Sequence, residues 1–253
     1  MVLFDSHCHL SDRAYAANLD EIINRANDNN VQYLLTVGLD IDDSLASIKI
    51  ANKYPNVYCS IGIHPHDAKT MRDNDIEQLS KLATHHKVKA IGETGLDFYR
   101  NYSDRLSQEK AFHTQIDLAQ KLDLPVILHI RAAYPESKEI LKQHNYYKGV
   151  LHCYSGDELF AQWAIDQGFY ISFSGSITYD SPKLKAIAQT IEEQRILIET
   201  DAPYLAPVPM RGKRNEPAYV KYVAEMIAKI RNISLAEIAK ITTENAKNLF
   251  NIS

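Results

Sequence analysis

His7 and His9 stand two residues apart in "FDSHCHL", where a short apolar run ends. Alternate side chains of an extended strand share a face, so the two imidazoles project to the same side. Neutral imidazole is the commonest nitrogen ligand of transition metals, and a converging pair makes half a metal site. So short a motif also arises by chance, and the reading depends on further ligand-type residues at matching places. They are present. His64 and His66 lie in "GIHPH", Glu93 and Asp97 in "GETGLD", His129 and Arg131 in "LHIR", His152 in "LHC", and Glu199 and Asp201 in "IETDAP".

Each of these groups follows a strand-like stretch. Such stretches recur at "VLFDSH", "QYLLTVG", "VYCSIGI", "VKAIGET", "PVILHI", "GVLHC", "FYISFSG" and "RILIET". Between them lie helix-like segments. Leu19, Ile22, Ile23 and Ala26 follow the spacing of one buried helix face, and Phe112, Ile116, Ala119 and Leu122 nearly do. Ser234 and Glu237 are spaced as a capping box ahead of a last helix carrying Ile238, Ala239 and Leu249. Eight strands alternating with helices over residues 1–253 predict an α/β fold, a single (β/α)8 TIM-type barrel. The rival, an open doubly wound sheet, is disfavoured by the strand count and by the absence of a GxGxxG turn after the first strand.

In such a barrel the working residues come from the C-terminal strand ends. Taken singly, His129 could be a hydrogen-bonded core histidine, Glu93 a helix cap, Asp201 a turn former and Arg131 a solvated residue. As a set they cannot all be idle, because each unpaired buried polar group costs about 1–3 kcal/mol, and charges cost more. Four imidazoles and two carboxylates exceed what one tetrahedral ion takes. They suffice for two ions roughly 3.5–4 Å apart if one carboxylate bridges. The expected assignment is His7, His9, Glu93 and Asp201 on one ion, and Glu93, His129 and His152 on the other, with Glu93 as the bridge. A water between the ions would be acidified enough to attack as hydroxide, with Asp201 accepting its proton. The donors suit Zn²⁺ or Mn²⁺ on softness, with Mg²⁺ usable at a partly hydrated site.

The remaining residues bear on the substrate. Arg131 could hold a phosphate oxygen. The loop "PVPMRGKRNEPAY" places Arg211, Lys213 and Arg214 after the eighth strand, either as a solvated loop or as an electropositive lip for a polyanion. Phe98, Tyr99, Tyr102, Tyr154 and Tyr204 could stack bases or simply pack. His64 and His66 could support the ligands, touch substrate or stiffen the turn at Pro65. His85, His86 and His144 read as solvated, and His113 as outward-facing. The 28 basic and 32 acidic residues argue against a protein held on DNA by a broad basic surface. The three cysteines, Cys8, Cys59 and Cys153, lack CxxC spacing, and the N-terminus has no basic-plus-apolar signal segment; a cytoplasmic protein with no membrane span is expected. A monomer is compatible with all of this.

The motifs "FDSHCHL", "GIHPH", "IGETGLDFY", "LPVILHIR", "LHCYSG", "ETDAPYLAP" and "RGKRNEPAYV", in that order along nearly the whole chain, resemble the TatD-type metal-dependent deoxyribonucleases. The resemblance implies a (β/α)8 barrel with metal ligands His7, His9, Glu93, His129, His152 and Asp201. It also implies removal of nucleotides from DNA 3′ ends, on single strands or frayed ends. Two departures stand beside the ligands: Ala132 and Ala133 follow Arg131 where family members often carry an acidic residue, and Tyr154 replaces a frequent Phe. Two other readings remain: a metal-dependent hydrolase of small amides, esters or aminoacyl esters, and a non-catalytic barrel that binds nucleic acid.

Overall fold

The apolar stretches form strands and the amphipathic ones pack outside them. A computed structural model describes residues 1–253, with eight strands: β1 (Leu3–Cys8), β2 (Val31–Val37), β3 (Val57–Ile61), β4 (Val88–Asp97), β5 (Val126–Arg131), β6 (Gly149–Leu151), β7 (Tyr170–Phe173) and β8 (Ile196–Ile198). All pair in parallel, in sequence order, in one sheet. The helices are α1 (Leu19–Asp28), α2 (Ile41–Lys53), α3 (Asp75–Leu82), α4 (Arg105–Leu122), α5 (Tyr134–His144), α6 (Glu158–Gln167), α7 (Pro182–Thr190), α8 (Val220–Arg231) and α9 (Leu235–Phe250). The strands are apolar on both faces because one face meets helices and the other the barrel interior. As the periodicity predicts, α1 buries Ile22, Ile23 and Ala26, and α4 buries Phe112, Ile116 and Ala119. Ser234 caps α9 by accepting the Glu237 N–H at 3.1 Å.

The seam between β1 and β8 is closed by unlike devices along its length. At the bottom, Asn245 of α9 donates to the carbonyl of Ile196 and Thr243 to that of Val2. Midway, Asp5 accepts from the backbone N–H and the hydroxyl of Thr200, and Ser6 donates to the Ile198 carbonyl. At the top the backbones meet: Asp201 N–H donates to His7 and His9 N–H to Ala202, at 2.9 and 2.8 Å. Below, Phe4, Leu35, Ala90, Ile127, Val150 and Leu197, from six strands, cluster with Leu249 and Phe250 of α9. Residues from so many strands meet only in the barrel interior, so α9 seals its floor.

Two strand ends are shaped for the site above. β4 runs on to Asp97, in register with Arg131, because Gly95 lies against β5; with φ at +139°, a Cβ there would sit 2.1 Å from the His129 carbonyl oxygen. β6 and β8 stop after three residues each, and the chain turns through left-handed conformations at Cys153 and Asp201.

On the outer wall, two of the histidines expected to be solvated or outward-facing, His113 and His144, are not free, while His86 is exposed as expected. The His113 and His144 rings lie 2.7 Å apart, Nδ1 to Nε2, and His144 Nδ1 faces Asp117 at 2.9 Å, leaving the His144 side chain 12% exposed. Helices α4 and α5 present these groups to each other, which linear spacing did not show.

Candidate metal centre at the barrel mouth

The strand ends bring all six expected ligands to one place. Glu93 sits at the centre, 2% exposed. Its Oε2 faces His7 Nε2 at 3.3 Å and His9 Nε2 at 4.0 Å, and Asp201 Oδ1 lies 3.3 Å from His9 Nε2 and 3.7 Å from His7 Nε2. Its Oε1 faces His129 Nδ1 and His152 Nε2, each at 2.8 Å. His7 and His9 stand 3.3 Å apart, as do His129 and His152. Two donors about 2.0–2.1 Å from one first-row ion, at angles between square and tetrahedral, lie about 2.8–3.4 Å apart, a range that holds the closer pairs here but not His9–Glu93 or His7–Asp201. The donor atoms thus gather around the two Glu93 oxygens, with His7 and His9 beside one, Asp201 next to them, and His129 and His152 beside the other.

The charges support the same use. Burial alone would raise the Glu93 pKa, but the His152, His64 and His7 rings outweigh it and hold the carboxyl well below its ordinary range. Burial likewise opposes ionisation of Asp201, and His9 overrides it. Both carboxylates stay ionised. Among the imidazoles, burial and the neighbouring His152 push His7 down. His9, His129 and His152 are raised despite burial: Asp201 acts on His9, Asp97 and Glu93 on His129, and Glu93 above all on His152. An ion taken up here displaces protons from these rings.

His64 stands against the Glu93 carboxylate and close to His66 and His129. Burial pushes its pKa down to about 4 against the pull of Glu93, so the ring is neutral. Its Nδ1 accepts the His66 N–H at 3.1 Å, which puts the proton on Nε2, 3.3 Å from Glu93 Oε1. It braces the central carboxylate. His66 meets Asp97 Oδ2 at 2.7 Å, and Asp97 also faces His129 Nε2 at 3.2 Å. Asp97 is thus the carboxylate behind one ligand, and Glu199, 3.3 Å from His152 Nδ1, stands behind another. Sequence reasoning placed both at strand ends without a role; each lies an even number of residues from a ligand on its strand end, and that parity was the available signal.

The remaining candidates separate. Arg131 is exposed, with its guanidinium 4.0 Å over the ring of Tyr99, and Tyr102 lies edge-on to His66. Arg211 and Lys213 are exposed, Arg211 over Tyr179, whereas Arg214 is tied to the Ala14 carbonyl. Tyr154 does not line the mouth as a stacking face. It is 3% exposed, packs against Tyr134 and donates its hydroxyl to the Asp157 carbonyl.

Residues 4–251 match the family model described as TatD related DNase. The chain belongs to the TatD family. The uncharacterized metal-dependent hydrolase YabD of Bacillus subtilis is 42% identical, over the full length of both chains. The 3'-5' ssDNA/RNA exonuclease TatD of Salmonella typhimurium is 33% identical over 99% of each. The crystal structure of YjjV, a TatD homologue from Escherichia coli, superposes with a TM-score of 0.92 at 28% identity, covering 99% of this chain and 98% of that one. This TatD-family protein is a metal-dependent hydrolase, with histidines and carboxylates positioned for metal binding. No helix in it is long and apolar enough to cross a membrane.

Proposed function

We propose that this chain is a two-ion phosphodiesterase that shortens single-stranded DNA from the 3′ end. The observation that carries the reading is the division of labour at Glu93, whose two oxygens face separate imidazole pairs. His7, His9, Asp201 and Glu93 on one side, and His129, His152 and Glu93 on the other, would hold two divalent cations, which when bound would supply electrophilic charge for a phosphate and acidify the attacking water. Asp201, held ionised at the rim of the donors, accepts the proton that this water gives up. Arg131 offers its exposed guanidinium to a neighbouring phosphate of the strand. Tyr99 and Tyr102, 63% and 56% exposed, present rings to unstacked bases at the same rim. The donors are recessed, with His7 fully buried, which favours a strand end that bends into the mouth over the flank of a duplex. The activity named for the Salmonella relative supports this polarity. Zn²⁺ and Mn²⁺ suit the mixed donors best.

The test uses chelator-stripped protein with 3′-labelled and 5′-labelled single strands, alone and with Mg²⁺, Mn²⁺ or Zn²⁺. Metal-dependent shortening from the 3′ end, absent in Glu93→Ala, is expected. Folded, ion-loaded protein that leaves DNA intact but cleaves neutral esters or amides would replace the nuclease reading with that of a small-molecule hydrolase.

A further inference from the structure

Glu199 is fully buried at the end of β8, and the proposed chemistry does not use it. One of its oxygens, Oε1, accepts the Cys153 N–H at 2.7 Å and faces His152 Nδ1. The other, Oε2, is buried without a hydrogen-bond partner. A buried carboxylate oxygen left unpaired is costly, so it points to a donor it is built to meet.

A donor without a partner stands beside the same rings. His7 and His152 are stacked, with centroids 4.0 Å apart and planes 12° from parallel, and both turn Nε2 toward Glu93. With both Nε2 atoms on Glu93, the Nδ1 atoms turn away from it, His152 Nδ1 onto Glu199 at 3.3 Å and His7 Nδ1 to a point beyond 4.0 Å from that carboxylate. His7 Nδ1 is buried and unpaired. The Glu199 charge bears on His7 as well as on His152. One orphaned acceptor and one orphaned donor flank a single two-ring stack.

We infer that Glu199 is a positioning residue for both ions, spanning the stacked His7 and His152 from behind as Glu93 spans them from the front. Oε1 takes the His152 Nδ1 proton directly, and Oε2 takes the His7 Nδ1 proton through a bridging water, since the two lie more than 4.0 Å apart. Each ring is thereby held in the tautomer whose Nε2 lone pair points at the ion site. One ring serves the His7–His9–Asp201 set and the other the His129–His152 set, so a single carboxylate couples the two. Asp97 differs. It backs His129 alone among the six ligands, and its second oxygen is occupied by the Tyr99 and Arg100 N–H groups.

The experiment is metal binding, independent of any substrate, so its outcome is separable from that of the nuclease reading. Wild type, Glu199→Gln and Asp97→Asn are titrated with Mn²⁺ and Zn²⁺ by calorimetry, with bound ions counted after dialysis and folding checked by thermal melting. Glutamine puts an NH2 donor in place of one acceptor oxygen and so cannot accept on both sides of its head group. Glu199→Gln is therefore expected to weaken both ions, each by roughly 10–100-fold. Asp97→Asn is expected to weaken one. Nitrogen NMR of the ion-free wild type should show the Nδ1–H tautomer at His7 and His152 alike. Retention of one ion at wild-type affinity in Glu199→Gln, or the Nε2–H tautomer at His7, would overturn the shared role even if the variant proved unstable.

Discussion

The two ends of this barrel are built from the same eight strands to opposite specifications. At the floor, Phe4, Leu35, Ala90, Ile127, Val150 and Leu197 pack against Leu249 and Phe250, and shape alone decides the fit. At the mouth, imidazoles and carboxylates crowd together, and each has value only through the partner that holds it. Stability and chemistry are thus assigned to different layers, and each can be disturbed without the other.

Glu93→Ala should give the largest effect on the mouth. It removes the proposed shared ligand of both sets, and turnover should fall by far more than the roughly 100-fold that outer-shell changes cost. Its melting temperature should stay at or above that of the wild type, as steady-state kinetics and a thermal scan on one sample would establish. Phe250→Ala inverts the pattern. A cavity in the floor should cost about 3–5 kcal/mol of unfolding free energy in urea, while turnover per folded molecule is unchanged. Loss of activity in proportion to stability would mean that the layers are not separate.

Finer tests sharpen the division. Arg131→Ala should raise KM for an oligonucleotide by about tenfold, the lower part of the range for a bond to a charged group, because the guanidinium is exposed. A neutral ester should be affected less, and equal losses would remove Arg131 as a phosphate contact. The ion sites should respond to pH through the raised imidazoles His9, His129 and His152. Ions bind the deprotonated rings, so apparent Mn²⁺ affinity should weaken as pH falls, beginning above the ordinary histidine value of 6.5. Asp5 tests the seam. Burial pushes its carboxyl up to about 8 despite the Thr200 donors. A group whose folded pKa exceeds its unfolded value contributes stability at low pH and loses it as pH rises, here between about 4 and 8. Asp5→Asn should flatten that part of the stability–pH curve, seen in urea midpoints across the range.

The sequence was most legible where period-two patterning meets strand ends. All eight strands lie where the apolar runs predict, and the six candidate ligands converge because a parallel barrel points every strand's C-terminal end at one mouth. What stayed illegible depends on contacts between elements. The His113–His144–Asp117 chain forms only when α4 packs beside α5. Tyr154 reads as a mouth aromatic by its place in "LHCYSG", yet the left-handed turn at Cys153 directs it into the packing with Tyr134. Asp97 and Glu199 could be counted but not assigned, since nothing linear distinguishes a ligand from the carboxylate behind it.

The seam between β1 and β8 also sets a schedule for biosynthesis. A nascent chain that has emerged through β7 already carries His7, His9, Glu93, His129 and His152, but not Asp201, Glu199 or the α9 residues that fasten Val2 and Ile196. Its first strand has no eighth strand to pair with, so the two halves of the ion centre cannot be held to each other. A chain cut after β7 would therefore lack Asp201, Glu199 and the fastening of Val2 and Ile196 all at once.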